Sequence, residues 1–366
     1  MAIQFANPYA SVHRLETELL GSLERVLKSG QYILGPELAA LESEFASYIG
    51  TSFAIGVANG TDALALALRA LDVSPGDEVI TVSMTAVATV AAIEMIGARP
   101  VLVDVQADCY TMNPRALLAA ITPRTRAVIP VHLYGHPATM GEILSICDSR
   151  DIAVIEDCSQ AHGAVVNGKR VGSHGKIGAF SCYPTKNLGA LGDAGLLTTN
   201  DPALASKLRS LRQYGWEKRN WSIEPGVNSR LDEMQAAVLR VKLQHLDELN
   251  LERSKIAAVY QNGLTSLPIT LPQERLGTVH AWHLYTIALG QRDLLQEHLY
   301  EAGIATGIYY PFPIHLQPAY RERLSIKDSV PITEQLSHSI LSLPLYPGLQ
   351  LEEVENVIAH IREFFN

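Results

Sequence analysis

A lysine and an aspartate, each at the end of an apolar run, are the residues of this sequence best suited to chemistry. Lys186 follows the run 177–183, and Asp157 follows the run 152–156. A lysine sheltered from water has a lowered pKa, and its neutral amine can attack a carbonyl carbon. An amine and a carboxylate at neighbouring strand ends are what pyridoxal phosphate requires, since the amine forms a Schiff base and the carboxylate keeps the ring nitrogen protonated. The pair therefore indicates a pyridoxal phosphate site.

The stretch after Lys186 is rich in glycine. Gly189, Gly192 and Gly195 predict a hairpin whose backbone enters the left-handed region, and such a loop would restrict the lysine. Taken singly, Lys186 and Asp157 are also typical of an exposed turn and an exposed strand end, because most lysines and aspartates face solvent.

Two segments offer donors for a phosphate group. The junction Asn59-Gly60-Thr61-Asp62 lies between a predicted strand and a predicted helix, where free backbone N–H groups and the helix dipole attract an anion. Ser181 lies five residues before Lys186 and adds a hydroxyl. Each has a plainer interpretation, with Thr61 or Asp62 capping the helix and Ser181 bonded to the backbone.

Further polar residues near these runs suit either a role in the site or a purely structural role. Gln160, beyond a short turn after Asp157, is suited to reach the ring hydroxyl, and His162 either orients Asp157 or only packs. Asn228 or Ser229 also suits a plain role, as the cap of the helix that follows.

Strand and helix patterns alternate along most of the N-terminal two thirds. Strands are predicted at 53–58, 78–82, 100–105, 127–131, 152–156, 177–183 and 196–199. They are near-continuous apolar runs, as expected when helices cover both faces of a sheet. The pattern predicts an α/β fold with a mainly parallel, helix-covered central sheet.

The pattern changes after residue 201. Residues 231–262 predict one long amphipathic helix linking two domains, and the remainder predicts a smaller α+β unit. We expect a large cofactor-binding domain over 1–245, with an N-terminal helical segment, and a small domain over 246–366. In the small domain, Tyr309, Tyr310 and His315 suit contact with a bulky, partly flat ligand or form an aromatic core cluster.

Composition excludes several classes of protein. The 366 residues carry a formal net charge of −9 without a Lys/Arg cluster, which argues against a nucleic-acid partner. The N-terminus has no secretory signal pattern, and no apolar stretch is long enough for a membrane span. The four scattered cysteines form no CxxC pair, so neither a disulfide framework nor a metal site is indicated. These features favour a cytoplasmic enzyme without a metal.

Several segments occur together in a recognisable order. They are YILGPEL, NGTDAL, VHLYG, VIEDCSQAHGA, FSCYPTKNLGALGDAG and GVNSRLDEMQAA. From about residue 7 to the C-terminus the sequence resembles the DegT/DnrJ/EryC1/StrS family. These are pyridoxal-phosphate-dependent sugar aminotransferases with the aspartate aminotransferase fold (PLP-transferase fold type I).

The resemblance implies a role for each matching residue. Lys186 would carry the Schiff base and shuttle protons, Asp157 would bind the pyridinium nitrogen, and Gln160 would face the 3-hydroxyl side of the ring. The phosphate would be held by Gly60, Thr61 and Ser181, and in the partner subunit by Asn228, so the resemblance implies a homodimer with shared sites. The sugar-nucleotide cleft would be shaped by Tyr32, Tyr183, Tyr309, Tyr310 and His315.

Two positions depart from the family pattern. Ala86 stands in the segment where the family often stacks an aromatic residue on the ring, and Cys182 stands where phenylalanine is common. Neither change touches the chemistry, but both bear on substrate identity. The GALGDAG loop favours amination of a 3-keto sugar.

The function that the resemblance implies is transfer of an amino group from L-glutamate to a nucleotide-linked keto-deoxyhexose, which we expect to be a dTDP-3-keto-6-deoxyhexose. The alternatives are a 4-keto sugar or a non-catalytic regulatory protein that binds cofactor and sugar nucleotide. Family dehydratases carry histidine at the lysine position, so Lys186 argues against dehydration. A Rossmann dehydrogenase needs GxGxxG after its first strand, where this chain has ANGTDAL.

Overall fold

The fold is described from a computed structural model that covers residues 2–326 and 329–366. The helices are α1 (Pro8–Arg14), α2 (Glu16–Ser29), α3 (Pro36–Ile49), α4 (Gly60–Ala70), α5 (Val87–Met95), α6 (Pro114–Ala120), α7 (Met140–Asp148), α8 (Pro202–Leu211), α9 (Glu233–Gln244), α10 (Leu246–Leu264), α11 (Arg292–Glu301), α12 (Pro331–Ser339) and α13 (Leu351–Phe365). In these two ranges no helix combines the length and the apolar character needed to cross a membrane.

The strands are mostly short and apolar. They are β1 (Phe53–Val57), β2 (Glu78–Val82), β3 (Arg99–Val103), β4 (Thr125–Val128), β5 (Ala153–Asp157), β6 (Val165–Val166), β7 (Lys169–Arg170), β8 (Ile177–Ser181), β9 (Gly195–Thr199), β10 (Trp216–Lys218), β11 (Trp221–Ser222), β12 (Thr278–Val279), β13 (Tyr285–Ala288), β14 (Ser325–Ile326) and β15 (Ile340–Leu343).

An eight-stranded sheet in the order β1-β9-β8-β5-β4-β2-β3-β14 forms the centre of the fold. All strand pairs in it are parallel except the two made by β9, which runs against both β8 and β1. The segment 182–194 between β8 and β9 contains no helix to carry the chain back to the starting edge, so β9 returns in the opposite direction. The predicted α/β fold with a mainly parallel, helix-covered sheet is confirmed.

The glycines after Lys186 serve close packing. None of Gly189, Gly192 and Gly195 has a positive φ. The prediction that these glycines supply left-handed backbone was therefore wrong. A Cβ atom at Gly195 would lie 2.3 Å from the carbonyl oxygen of Asn59, and one at Gly189 would lie 2.5 Å from that of Pro184. These glycines therefore let the loop pack against its own turn and against the start of α4.

The long helix predicted over 231–262 is two helices, α9 and α10, that meet at His245. The φ and ψ of His245 are −104° and 0°, and its N–H donates to the carbonyl of Lys242, three residues back. This tighter turn ends one helix and starts the next in a new direction.

A second, two-stranded sheet of β13 and β15 lies in the C-terminal part and packs with α10, α11 and α13. Its core includes Tyr260 and Tyr285, whose ring centroids are 4.9 Å apart. The chain also returns to the central sheet, because Ile314 packs with Val90 and Leu102 and β14 pairs with β3.

Candidate functional site

The parallel pair β5 and β8 brings the two leading candidates to one edge of the sheet. Asp157 is the last residue of β5, and Lys186 lies in the turn after β8, where its N–H donates to the carbonyl of Tyr183 at 2.8 Å. Both side chains line a cavity of about 560 Å³. The carboxyl ends of parallel strands are the usual place for a ligand site in such sheets.

Lys186 is partly exposed to this cavity and is otherwise surrounded by protein. Burial lowers the pKa of Lys186 from 10.5 to about 8, and the nearby charge of Asp157 opposes part of that shift. A share of the amine is therefore neutral near physiological pH and able to act as a nucleophile or base.

The Asp157 carboxylate is buried and fixed by two donors. Its Oδ2 accepts a hydrogen bond from the Thr89 hydroxyl at 2.9 Å, and its Oδ1 accepts one from the N–H of Ser159 at 3.2 Å. The Thr89 hydroxyl is itself 3.0 Å from that of Thr85. A carboxylate held in this way suits a lasting contact with a protonated ring nitrogen.

The N-terminus of α4 forms another wall of the cavity. The Asn59 side chain caps this helix, accepting from the N–H of Asp62 at 2.8 Å. Gly60 lies against Ser181, since a Cβ atom at Gly60 would be 2.5 Å from that of Ser181. Gly60, Thr61 and Ser181 all line the cavity, so free helix amides and two hydroxyls face the same space.

Gln160 is fixed by neighbours on both sides of its amide. Its Oε1 accepts from the N–H of Tyr134 at 2.7 Å, and its Nε2 donates to the Tyr310 hydroxyl at 3.1 Å. Burial raises the pKa of Tyr310, so this hydroxyl stays protonated. The amide therefore has a single orientation beside the cavity.

These groups fit pyridoxal phosphate. The cavity has an amine with a lowered pKa, a buried carboxylate for a ring nitrogen and a helix N-terminus for a phosphate. Because Gly60 has no side chain, its backbone can lie close to Ser181, beside the helix N-terminus that suits the phosphate.

The structure brings together seven of the predicted site residues as lining of this cavity: Gly60, Thr61, Asp157, Gln160, Ser181, Tyr183 and Lys186. Tyr309 and Tyr310 line a smaller adjoining recess, of which Lys186 and Gln160 also form part. Tyr32 and Asn228 are exposed and lie outside both linings. His315 is buried away from them, with Nδ1 2.7 Å from the Ser83 hydroxyl and Nε2 3.2 Å from Glu334.

His162 packs and does not orient Asp157. Its ring centroid is 5.4 Å from that of Phe180, and its Nδ1 has no hydrogen-bond partner in the described part of the chain. Burial and the charge of Lys186 lower the pKa of His162 to about 3, so the ring is neutral. Thr89 holds Asp157 instead. Sequence reasoning missed Thr89, although two threonines four residues apart at a helix start were a possible signal.

A buried cluster of His132, Glu156 and Cys158 has ligand atoms within 4.8 Å of one another. Both oxygens of Glu156 are already used, by His132 Nε2 at 3.2 Å and by the N–H groups of Gly172, His174 and Gly175 at 2.8–2.9 Å. These bonds account for the burial of the carboxylate without a metal ion. Glu156 therefore anchors the loop between β7 and β8.

Proteins of known structure share this fold. The solved structure of DesV from S. venezuelae matches with a TM-score of 0.97 at 46% identity, covering 100% of this chain and 99% of that one. NtdA from Bacillus subtilis, solved with bound cofactor PMP, matches with a TM-score of 0.93 at 30% identity, covering 100% and 85%.

Sequence comparison agrees. The dTDP-3-amino-3,4,6-trideoxy-alpha-D-glucose transaminase of Streptomyces venezuelae is 46% identical over 363 residues, which are 99% of this chain and 96% of that protein. The model of the DegT/DnrJ/EryC1/StrS aminotransferase family matches residues 13–362. The chain therefore belongs to this family of aminotransferases, and its cofactor is pyridoxal phosphate.

Proposed function

We propose that the chain transfers the amino group of L-glutamate to a dTDP-linked 3-keto-6-deoxyhexose, giving a nucleotide-linked amino sugar. The observation that carries the proposal is Lys186, an amine with a pKa of about 8 in one cavity with the buried Asp157. The 46% identical relative is named for a dTDP-linked sugar with a 3-amino group, which supports the nucleotide and the carbon.

When bound, the cofactor supplies an electron sink for carbanion chemistry. The residues of the chain would provide the rest. Lys186 would hold the cofactor and, once released, its Nζ would take the proton from the α-carbon of the donor. Asp157, fixed by Thr89, would keep the ring nitrogen protonated. Gly60, Thr61 and Ser181 would bind the phosphate.

Lys186 would also run the second half of the reaction. There the same amine would move a proton in the opposite direction and deliver it to the carbon of the keto sugar that receives the amino group. One residue suits both steps because its pKa of about 8 leaves both protonation states populated near neutral pH.

The active unit in this proposal is a homodimer. Asn228 is exposed and lies outside the cavity of its own chain, as a residue serving the partner's phosphate would. Tyr32, also exposed, would shape the sugar-nucleotide cleft with Tyr183 and the two tyrosines of the recess. His315 is buried against Ser83 and Glu334 and would act there only by supporting the segment that carries these tyrosines.

The division into a large domain over 1–245 and a small one over 246–366 also stays a proposal. It is supported by the start of α10 at Leu246 and by the separate core around β13 and β15. A cytoplasmic location is proposed because all four cysteines are free thiols in the fold.

The test is a coupled assay that detects 2-oxoglutarate formed from L-glutamate. Purified holoenzyme should turn over with dTDP-3-keto-6-deoxyhexose and more slowly with the 4-keto isomer and with the UDP-linked analogue. If the enzyme prefers either of these two compounds, that compound replaces the dTDP-linked 3-keto sugar as the proposed substrate. Cofactor binding without turnover of any keto sugar would support the non-catalytic, regulatory alternative.

Lys186→Ala provides the matched negative control. We expect turnover to fall by at least roughly a thousandfold, because one residue supplies the nucleophile and the general base. After borohydride reduction, mass spectrometry should find cofactor on the peptide containing Lys186 in the wild type. Cofactor on another lysine would overturn the assignment.

A further inference from the structure

A recess of about 120 Å³ adjoins the cofactor cavity, and Lys186 and Gln160 line both spaces. It is much smaller than the cofactor cavity of about 560 Å³, and its size suits part of a small amino acid. Its lining contains two cationic side chains, Lys186 and Arg253, and no carboxylate. The recess therefore favours an anion.

Arg253 of α10 is a buried cation without an acidic partner. Its side chain is 7% exposed, and no carboxylate in the described ranges forms an ion pair with it. Nη1 donates to the carbonyls of Trp282, His283 and Leu345 at 3.3, 3.4 and 3.1 Å. Nε is buried with no partner in the described part of the chain. Buried charges are usually paired, so a buried guanidinium without an acidic partner is unusual.

Two further polar residues of the recess, Asn187 and His283, are already hydrogen-bonded. Asn187 donates to Asn250 and to the carbonyl of Ala281 at 2.8 and 2.7 Å, and its Oδ1 is 3.1 Å from His283 Nδ1. Burial lowers the pKa of His283 well below its ordinary value, so this ring is neutral. Arg253 is thus the fixed cation of the recess, while Lys186 is committed to the chemistry.

We propose that this recess binds a carboxylate of the amino-acid donor and that Arg253 is its ligand. The inference rests on the proposed function, which requires an amino acid whose nitrogen reaches the cofactor beside Lys186. A guanidinium pairs with a carboxylate through parallel N–H groups, and Nη2 of Arg253, on a side chain that lines the recess, has no hydrogen-bond partner among the described residues. The shared wall at Lys186 allows one small molecule to contact both groups.

The competing explanation is purely structural. Arg253 ties α10 to the backbone at 282–283 and at 345, and this alone could account for its burial. Arg292 offers a comparison as a buried arginine with a structural role, since it is also 7% exposed, donates to the carbonyls of Ser337 and Ile340 at 3.3 and 3.0 Å and pairs with Asp293. Arg292 does not line the recess.

The test compares holoenzyme of the wild type, Arg253→Gln, Arg253→Lys and Arg292→Gln in separate half-reactions. In the first half-reaction Arg253→Gln should raise the KM for L-glutamate at least tenfold, and Arg253→Lys should raise it less. The second half-reaction, from the pyridoxamine form with keto sugar, should stay within twofold of the wild type. Arg292→Gln should lower only the thermal midpoint.

Binding of glutarate, measured by calorimetry on holoenzyme, provides a readout independent of turnover, and Arg253→Gln should weaken it at least tenfold. A donor series then distinguishes the two carboxylates. An effect shared by L-glutamate and L-alanine identifies the α-carboxylate, and an effect confined to L-glutamate identifies the distal one.

Equal loss in both half-reactions, or an unchanged KM together with unchanged glutarate binding in a folded Arg253→Gln protein, overturns the inference. If both Arg253 variants fail to fold, the wild type still decides, because a recess that does not bind glutarate cannot be the carboxylate site. Failure of the proposed function is distinguishable, since the wild type would then form no 2-oxoglutarate from L-glutamate.

Discussion

The amine of Lys186 and the carboxylate of Asp157 have different environments although they line one cavity. Burial works against the charged form of Lys186, whereas two hydrogen bonds hold Asp157 in place. The lysine is thus able to exchange protons, and the aspartate is suited to a fixed charge. Reactive groups in enzymes are commonly separated by environment in this way.

The pH dependence of cofactor uptake follows from the lowered pKa of Lys186. The neutral amine reacts, so the association rate of apoprotein with pyridoxal phosphate should rise with pH through a midpoint near 8 instead of 10.5. Asp157→Asn should move the midpoint below 8, because it removes the charge that raises this pKa. Stopped-flow fluorescence above pH 7 measures the rate, and a midpoint near 10 would contradict the burial argument.

Thr89 should matter for cofactor binding through its hydrogen bond to Asp157. Thr89→Val should weaken cofactor affinity by roughly 10- to 150-fold, since a hydrogen bond to a charged group contributes about 1.5–3 kcal/mol. Equilibrium dialysis measures the affinity. Thr81→Val is the control, because Thr81 is also buried but bonds to the carbonyl of Ile129. Equal affinities in the two variants would remove Thr89 from the site.

At the scale of elements, α3 and α9 are joined by one carboxylate. Glu233 at the start of α9 accepts from the N–H groups of Gly35, Glu37 and Leu38 at 2.8–2.9 Å. Gly35 has no room for a side chain, since a Cβ atom there would be 2.8 Å from Glu233 Oε2. This contact joins the segments YILGPEL and GVNSRLDEMQAA in the fold.

Replacing Glu233 should therefore destabilise the junction. Glu233→Gln turns one oxygen into a donor facing backbone donors, and the free energy of unfolding should fall by about 2 kcal/mol. Urea titration measures the change. The exposed Glu355 of α13 offers a control, and Glu355→Gln should stay within about 0.5 kcal/mol of the wild type. Similar stability of the two variants would show that the contact contributes little.

At the scale of the whole molecule, the proposed homodimer makes a complementation experiment possible. If Asn228 serves the partner's cofactor, a heterodimer of Lys186→Ala and Asn228→Ala chains has one intact site. Random mixing would then restore about a quarter of wild-type activity, because about half of the dimers are mixed and each has one of two sites. The assay is turnover after co-refolding. No recovery would place Asn228 in its own chain's site, and full activity of the Asn228→Ala homodimer would place it outside both sites.

The sequence by itself determined the fold class and located the two residues on which the proposed chemistry depends. Continuous apolar runs predicted buried parallel strands, and these strands exist close to the predicted bounds. Lys186 and Asp157 could be found because each follows such a run. The end of a strand can be predicted from the local sequence pattern, and the residue at that end is then known.

Only the tertiary structure decided what packs around those residues. The glycines after Lys186 were expected to supply left-handed backbone, but they allow contacts with Asn59 and Pro184 that depend on how segments meet. The bond from Thr89 to Asp157 and the lack of an acidic partner for Arg253 among the described residues are of the same kind. Each joins residues far apart in sequence or depends on a neighbour's absence, so no local period or spacing encodes it.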